Sequence, residues 1–338
     1  MAEKIVALLG GDQREFQVVP SLKTAGWKVQ VFGLPKNELP TGVICCDTVK
    51  EAVKNVCAVI LPLPGIRNNG RLHSPFADNP IIKKSDLAAL PKGTPVFTGV
   101  ASDYLKGLAA ELELDVREVA EDDKIAVPNA VPTTEGAIQI TMEETDITVD
   151  GMRALVIGYG RVGAALAEKL RAMGARVVVT NRSSGRFAAA ARDGFAIYPW
   201  DSVKHAVAGQ DVIYNTVPAM VIDKEMLMAM DKKTLIIDLA TSPGGTDFAA
   251  AAELDIKAIH ALSLPGKVAP VSAGKILAAY YPHVLEAVAV ERCGFAQNQR
   301  NNDGVSTEAE RFANIFDNEY EKSTKLSDML GGAADDRE

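Results

Sequence analysis

The sequence predicts an α/β protein of two Rossmann-like domains, the first flavodoxin-like and the second doubly wound, on three observations. At 338 residues the chain is long enough for two domains, each with its own core. Short β-branched runs alternate with helix-like stretches twice over, a rhythm that predicts parallel sheets covered by helices on both faces. Between one such run and the helix after it lies Gly158-Tyr159-Gly160-Arg161-Val162-Gly163, the glycine turn of a doubly wound fold.

In the first domain, residues 1–130, Ile5–Leu9, Lys28–Phe32, Val56–Leu63 and Pro95–Thr98 read as buried strands because they are apolar on both faces. Asp12–Ala25 and Asp47–Asn55 read as helices, the latter with Asp47 as N-cap, and Lys124–Val127 reads as a further strand. Pro132, Thr133 and Thr134 suit a helix start ahead of Ala137–Glu144, so residues 131–150 become a bridging helix and turn. The second domain, residues 151–270, has strands at Arg153–Ile157, Arg176–Thr180, Phe195–Ile197, Val212–Asn215, Leu235–Asp238 and Lys257–Ile259. Its helices fall at Val162–Met173, Arg186–Arg192, Trp200–Ala206, Lys224–Met230 and Thr246–Glu253. Ser272–Arg292 reads as one long helix, kinked at Pro282 and stopped by Gly294, so residues 271–293 are expected to pack back on the first domain. Residues 294–338 read as a flexible acidic tail, in which Thr307–Lys322 is a weakly ordered amphipathic stretch.

Composition excludes several classes. With 47% apolar and 24% charged residues this is an ordinary globular sequence. No apolar run reaches the ~18 residues of a membrane span. Met1-Ala2-Glu3-Lys4 leads straight into a strand, so a cytoplasmic protein without a leader is expected. From Glu291 to Glu338 there are 11 acids and 6 bases, which leaves −3 of the net −8 for the body. An acidic chain with no basic stripe argues against nucleic acid as a partner. Cys45, Cys46, Cys57 and Cys293 show neither a CxxC pair nor zinc spacing, so reduced thiols and no metal are expected.

The glycine turn defines a cofactor site. Gly158 makes the tight bend, Gly160 lets a pyrophosphate approach the backbone, and Gly163 lets the helix sit close to the sheet. Tyr159, Arg161 and Val162 complete the loop, and the helix start offers N–H groups to the phosphates. The second strand ends in Thr180-Asn181-Arg182-Ser183, with Arg186 close behind and no acid to hold ribose hydroxyls. A guanidinium clamps a 2′-phosphate with two hydrogen bonds, so NADP is the expected cofactor. Downstream, Thr216, Val217 and Pro218 after one strand, and Asp238, Ala240 and Thr241 after the next, are expected at the nicotinamide.

On the substrate side, Arg14, Arg67 and Lys267 are cations expected in a cleft beyond the strand ends, with Ser102, Asn129 and Thr133 as polar partners. Such a set suits an anionic substrate. Glu135 is the first choice for a proton-accepting base and Asp12 the second, although Glu135 also reads as a carboxylate at a helix start. Of the histidines His73, His205, His260 and His283, only His73, after the third strand, falls near the cleft.

Five segments carry a resemblance: Gly10-Gly11-Asp12 with Arg14, Asn129 through Gly136, Gly158 through Gly163, Asp238 through Phe248, and Leu264 through Pro270. In this order and spacing they resemble the A-subunit family of dipicolinate synthase, from about residue 3 to residue 292. The resemblance implies a two-domain architecture similar to 2-hydroxyacid dehydrogenases and adenosylhomocysteinase. It also implies oxidation of dihydrodipicolinate to dipicolinate with NADP⁺ in the mother cell of a sporulating bacterium, together with the B subunit of dipicolinate synthase. A homo-oligomer is expected as well. Two alternatives stay open: another two-domain NAD(P)-dependent dehydrogenase of a small carboxylate, and an NADP-binding protein whose partner holds the chemistry.

Overall fold

The structure, a computed structural model, describes residues 3–293. The expectations for residues 294–338 lie outside the described residues. Among the described residues the chain divides into two compact units, residues 3–128 with 271–293, and Asn129–Pro270.

The first unit runs β1 (Ile5–Leu9), α1 (Glu15–Thr24), β2 (Lys28–Phe32), β3 (Ile44–Cys46), α2 (Val49–Ala52), β4 (Ala58–Ile60), α3 (Lys84–Leu87), β5 (Pro95–Thr98), α4 (Asp103–Leu112) and β6 (Asp115–Glu118). Its sheet is parallel with the order β3-β2-β1-β4-β5-β6. Leaving out β3, which the sequence reading did not find, returns the flavodoxin order, so the edge strand is what extends it to the six-stranded doubly wound order. Period-two alternation splits the core. Val6 and Leu8 face one layer with Val18, Val19 and Leu22 of α1, while Ala7 and Leu9 face the other with Leu105 and Leu108 of α4. Cys45 and Cys46 are free thiols, whereas Cys57 is disulfide-bonded, contrary to the expectation of reduced thiols throughout.

Lys124–Val127 is not a strand. It lies in α5 (Asp123–Glu144), which starts because Asp122 accepts the Lys124 N–H on its side chain at 2.9 Å and the Ile125 and Ala126 N–H groups on its carbonyl. Pro132 therefore stands inside the helix rather than at its start. The hydroxyls of Thr133 and Thr134 donate to the carbonyls of Asn129 and Val131, so they cap nothing. Asp47 is likewise not the cap of α2; Thr48 is, accepting the Glu51 N–H.

The second unit runs β7 (Arg153–Ile157), α6 (Arg161–Ala172), β8 (Arg176–Thr180), α7 (Ser184–Arg192), β9 (Ala196–Ile197), α8 (Val203–Ala206), β10 (Val212–Asn215), α9 (Lys224–Met228), β11 (Leu235–Asp238), α10 (Phe248–Glu253), β12 (Ala258–His260) and α11 (Leu264–Val268). The parallel sheet has the order β12-β11-β10-β7-β8-β9. Ala154 and Val156 pack with Leu166, Ala167 and Leu170 of α6, and Leu155 and Ile157 pack with Met226 of α9 and Ala250 of α10. The last helix, α12 (Pro270–Cys293), returns to the first unit, burying Leu277, Tyr281, Leu285 and Val288 against the β1–β2 face. Both sheets reverse strand order at one place, between β1 and β4 and between β7 and β10. The crevice beyond the strand ends at such a switch point is where ligands bind in this architecture.

Candidate functional site

At the switch point of the second unit, Gly158 adopts φ +99, and a Cβ there would stand 2.2 Å from Thr216 Oγ1. Gly163 is tighter still, since its Cβ would meet the Gly158 carbonyl oxygen at 2.1 Å. Gly160 is different: nothing lies within 4 Å of the Cβ it lacks. Two glycines thus let α6 close onto β7, and the third leaves open space beside a helix start with no side-chain cap. This is the cradle that a pyrophosphate requires. The Gly158 N–H donates to the Thr180 carbonyl at 2.9 Å, which ties the loop to the end of β8. There Asn181 accepts the Ser183 N–H at 2.7 Å and Arg182 is exposed. Arg186 donates to the Tyr159 carbonyl at 3.2 Å. The Tyr159 side chain is buried instead of facing the loop. Its hydroxyl donates to Asp193 at 2.7 Å and its ring packs edge-on against Phe195, so only its backbone is left to the loop. Burial and the Asp193 carboxylate push that phenol well above its usual range.

Two further loops meet the same switch point. Asn215 donates to the Val217 carbonyl and accepts the Val217 N–H, which locks the Thr216–Val217 turn, and Pro218 is exposed beyond it. Asp238 is fully buried. Its Oδ1 accepts from Asn215 and the Ala240 N–H, its Oδ2 from the Gly245 N–H and the Thr246 hydroxyl, all within 3.0 Å. Both oxygens are therefore occupied, and Asp238 acts by holding the Ala240–Thr246 loop. Thr241 is exposed on that loop, and His260 bonds the Ala240 carbonyl at 2.9 Å while stacking on Phe248.

At the switch point of the first unit the chain collects ionisable groups. Gly10 and Gly11 both have positive φ, and a Cβ on Gly11 would stand 2.5 Å from the Glu15 carboxyl. Asp12 receives three hydrogen bonds from Arg14, at 3.1 Å from its N–H, 2.9 Å from Nε and 2.8 Å from Nη2. Its Oδ2 also lies 3.1 Å from His73 Nε2. Burial alone would raise the Asp12 carboxyl, but the bonds from His73 and Arg14 overcome it and hold the group well below the usual carboxylate range. Glu15 is 2% exposed and accepts the Asp12 N–H at 2.6 Å. Burial pushes its carboxyl up to about 7, against the opposing pull of Arg14.

Known proteins carry the same two units. The family model for the N-terminal domain of the dipicolinate synthase A subunit matches residues 5–120, and that for the S-adenosyl-L-homocysteine hydrolase NAD binding domain matches residues 130–264. The A subunit of dipicolinate synthase from Bacillus subtilis (strain 168) is 33% identical over 288 residues, 85% of this chain and 97% of its own length. The chain belongs to the A-subunit family of dipicolinate synthase. The crystal structure of the family member from Bacillus halodurans superposes with a TM-score of 0.80 at 32% identity, covering 84% of this chain and 99% of that one. The D-lactate dehydrogenase of Escherichia coli shares the fold at 14% identity, with a TM-score of 0.59 over 87% of this chain and 99% of that one. The second unit is accordingly a nicotinamide-dinucleotide-binding domain. Among the described residues no helix is long and apolar enough to cross a membrane.

Several residues singled out from sequence sit differently from expectation. Because α5 starts at Asp123, Glu135 lies about three turns inside it, away from any helix start. Its exposed carboxylate pairs with Lys169 of α6 at 2.9 Å, the arrangement of a surface ion pair and not of a poised base. Thr133 spends its hydroxyl on Asn129, whose own backbone is in the helix. Ser102 is the N-cap of α4, accepting the Leu105 N–H at 3.2 Å. Arg14 is buried and engaged by Asp12, so it is not a free counter-charge. Arg67 is exposed in the first unit and Lys267 in the second. Glu15 was missed altogether: nothing in Arg14-Glu15 says that the acid is buried. The signal for His73 was only its place after a strand.

Proposed function

We propose that this chain is the oxidoreductase that converts dihydrodipicolinate to dipicolinate with NADP⁺, in the cytoplasm of the mother cell of a sporulating bacterium. The observation that carries the reading is the end of β8, where Asn181-Arg182-Ser183 stands beside the glycine loop of a dipicolinate synthase family member with no acid present. Gly158, Gly160 and Gly163 cradle the pyrophosphate, with Arg161 and Val162 in the first turn. Arg182 and Arg186, with Asn181 and Ser183, take the 2′-phosphate, a charge that an acid here would repel. Thr216, Val217, Pro218, Ala240 and Thr241 flank the nicotinamide end. Bound there, the dinucleotide supplies a two-electron oxidant.

The residues of the first unit do the rest. Exposed Arg67 offers a counter-charge for a substrate carboxylate, as exposed Lys267 does in the second unit. The Asp12 cluster, rather than Glu135, is the proton-handling group, because it is partly buried, charged and set at a switch point. Aromatisation of the ring drives the reaction, so the protein chiefly orients and desolvates. The B subunit of dipicolinate synthase accompanies the chain, and the chain self-associates. The test is NADPH formation from freshly generated dihydrodipicolinate, with and without that partner, against D-lactate and L-alanine as controls. Turnover of dihydrodipicolinate alone is the expected result. Tight NADPH binding without turnover in either mixture overturns the reading.

A further inference from the structure

The cluster at the end of β1 has one member open to a substrate. Arg14 and Glu15 are buried, whereas the side chains of Asp12 and His73 are 19% and 22% exposed. Asp12 is enclosed by donors on both oxygens. His73 is bonded on one side of its ring only: Nε2 faces Asp12, and among the described residues nothing hydrogen-bonds Nδ1. The backbone around the ring is fixed independently of the side chain. The His73 N–H donates to the Gly65 carbonyl at 3.0 Å, and its carbonyl accepts the Gly11 N–H at 2.9 Å.

We propose that His73 is the catalytic base, accepting the substrate's proton on Nδ1 while Asp12 positions the ring through Nε2. This rests on the oxidoreductase reading above. Asp12 is ionised over the working range, so the nitrogen facing it must carry the hydrogen. A neutral ring then has its lone pair on Nδ1, the side left open. Loss of two hydrogens from the dihydropyridine ring divides into a hydride, the share of the bound dinucleotide, and a proton, the share of His73. Proton uptake makes an imidazolium 3.1 Å from a carboxylate, and release to solvent restores the neutral ring. The charged and titratable groups around it are Asp12 and Arg14 on the β1–α1 loop, Glu15 on α1, and Tyr281 on α12, which acts on Glu15 and Arg14. Arg14 fixes the charge of Asp12, and Glu15 grips the Asp12 N–H, so both are positioning residues. A histidine that merely fills space has no need of an ionised partner on one nitrogen and an open face on the other.

The experiment uses the full chain with its partner protein and compares the wild type with His73→Gln, His73→Ala, Asp12→Asn and Glu15→Gln. Wild-type kcat/KM rises with pH along a single limb. Both His73 variants lose that limb and about 10²-fold or more in kcat, and imidazole restores part of the loss in His73→Ala. Glu15→Gln keeps the limb. NADPH affinity stays within about threefold of wild type in each variant, since none of them alters the glycine loop or the end of β8. Independently of activity, nitrogen NMR of the histidine rings finds neutral His73 protonated on Nε2. A His73→Gln variant that keeps the limb and most of kcat overturns the proposal, as does a neutral ring protonated on Nδ1. Failure of the wild type itself to turn over sinks the oxidoreductase reading instead, and the proposal with it.

Discussion

Alanine at Gly163 and alanine at Gly160 should have opposite consequences, although only Arg161 and Val162 stand between them. At Gly163 the new methyl would lie 2.1 Å from the Gly158 carbonyl oxygen and 2.9 Å from its carbon. Backbone cannot move aside as a flexible side chain can, so the cost sits at the upper end of overpacking, about 3 kcal/mol. Alanine recovers about 1 kcal/mol over glycine in a helix. The net loss is therefore about 2 kcal/mol, a fall in Tm of roughly 4–8 °C for a unit of this size. At Gly160 the backbone, φ −88 and ψ −164, is accessible to alanine, and its methyl points into open space. The cost there is that of a poorer N-cap, about 0.5–1 kcal/mol or less. That open space is where the pyrophosphate approaches, so NADPH affinity should fall at least about tenfold, or ~1.4 kcal/mol. Thermal unfolding without ligand and calorimetric titration with NADPH read the two effects separately. A Gly160→Ala protein that loses as much Tm as Gly163→Ala, or binds NADPH as tightly as wild type, refutes the reasoning.

Arg182→Ala removes a charged hydrogen-bond donor worth about 1.5–3 kcal/mol to a phosphate, so the NADPH Kd should rise about 10- to 150-fold while that for NADH stays unchanged. Equal losses for the two nucleotides would remove the cofactor assignment. Glu15→Gln tests the buried carboxyl by linkage. A carboxyl raised from 4.5 to about 7 binds more protons folded than unfolded, so its contribution to stability falls as pH rises through that window. The amide keeps an acceptor for the Asp12 N–H without the charge. Relative to wild type, Glu15→Gln should therefore gain about 3 kcal/mol between pH 4.5 and pH 8 in urea unfolding. A pH-independent difference would show that Glu15 is not desolvated.

What was legible in the sequence follows from how each feature is encoded. Strands buried on both faces announce themselves, and β1, β2, β5, β7, β8, β10 and β11 fall where the apolar runs put them. The glycine turn is equally open to reading, because Gly158 and Gly163 answer to steric needs that no other residue meets. Edge strands are harder. β3 is three residues ending in two cysteines, and β6 is Asp115-Val116-Arg117-Glu118, polar because one side of it faces no neighbour strand. With neither β3 nor β6 marked by an apolar run, the first domain shows from sequence only four of its six strands. The start of α5 was misjudged because Pro132 reads as a helix start, while Asp122, ten residues earlier, is the residue that caps it. That shift carried Glu135 from a helix terminus to the middle of α5, where its carboxylate pairs with Lys169. Tyr159 and Asp238 stand out by position, but their side chains answer to partners at Asp193 and Thr246 that no local spacing encodes, while Arg14 turns back onto Asp12 only two residues before it. The Asp12–His73 pair joins residues 61 apart, and only the return of the β4–β5 loop onto Gly11 brings it together.

The most direct measurement follows dipicolinate and NADPH in one reaction mixture of this chain, its partner protein, NADP⁺ and freshly generated dihydrodipicolinate. The two products should appear together in a one-to-one ratio, with NAD⁺ a poor substitute. Dipicolinate formed without reduced nucleotide, or NADPH bound with neither product formed, would contradict the oxidoreductase reading.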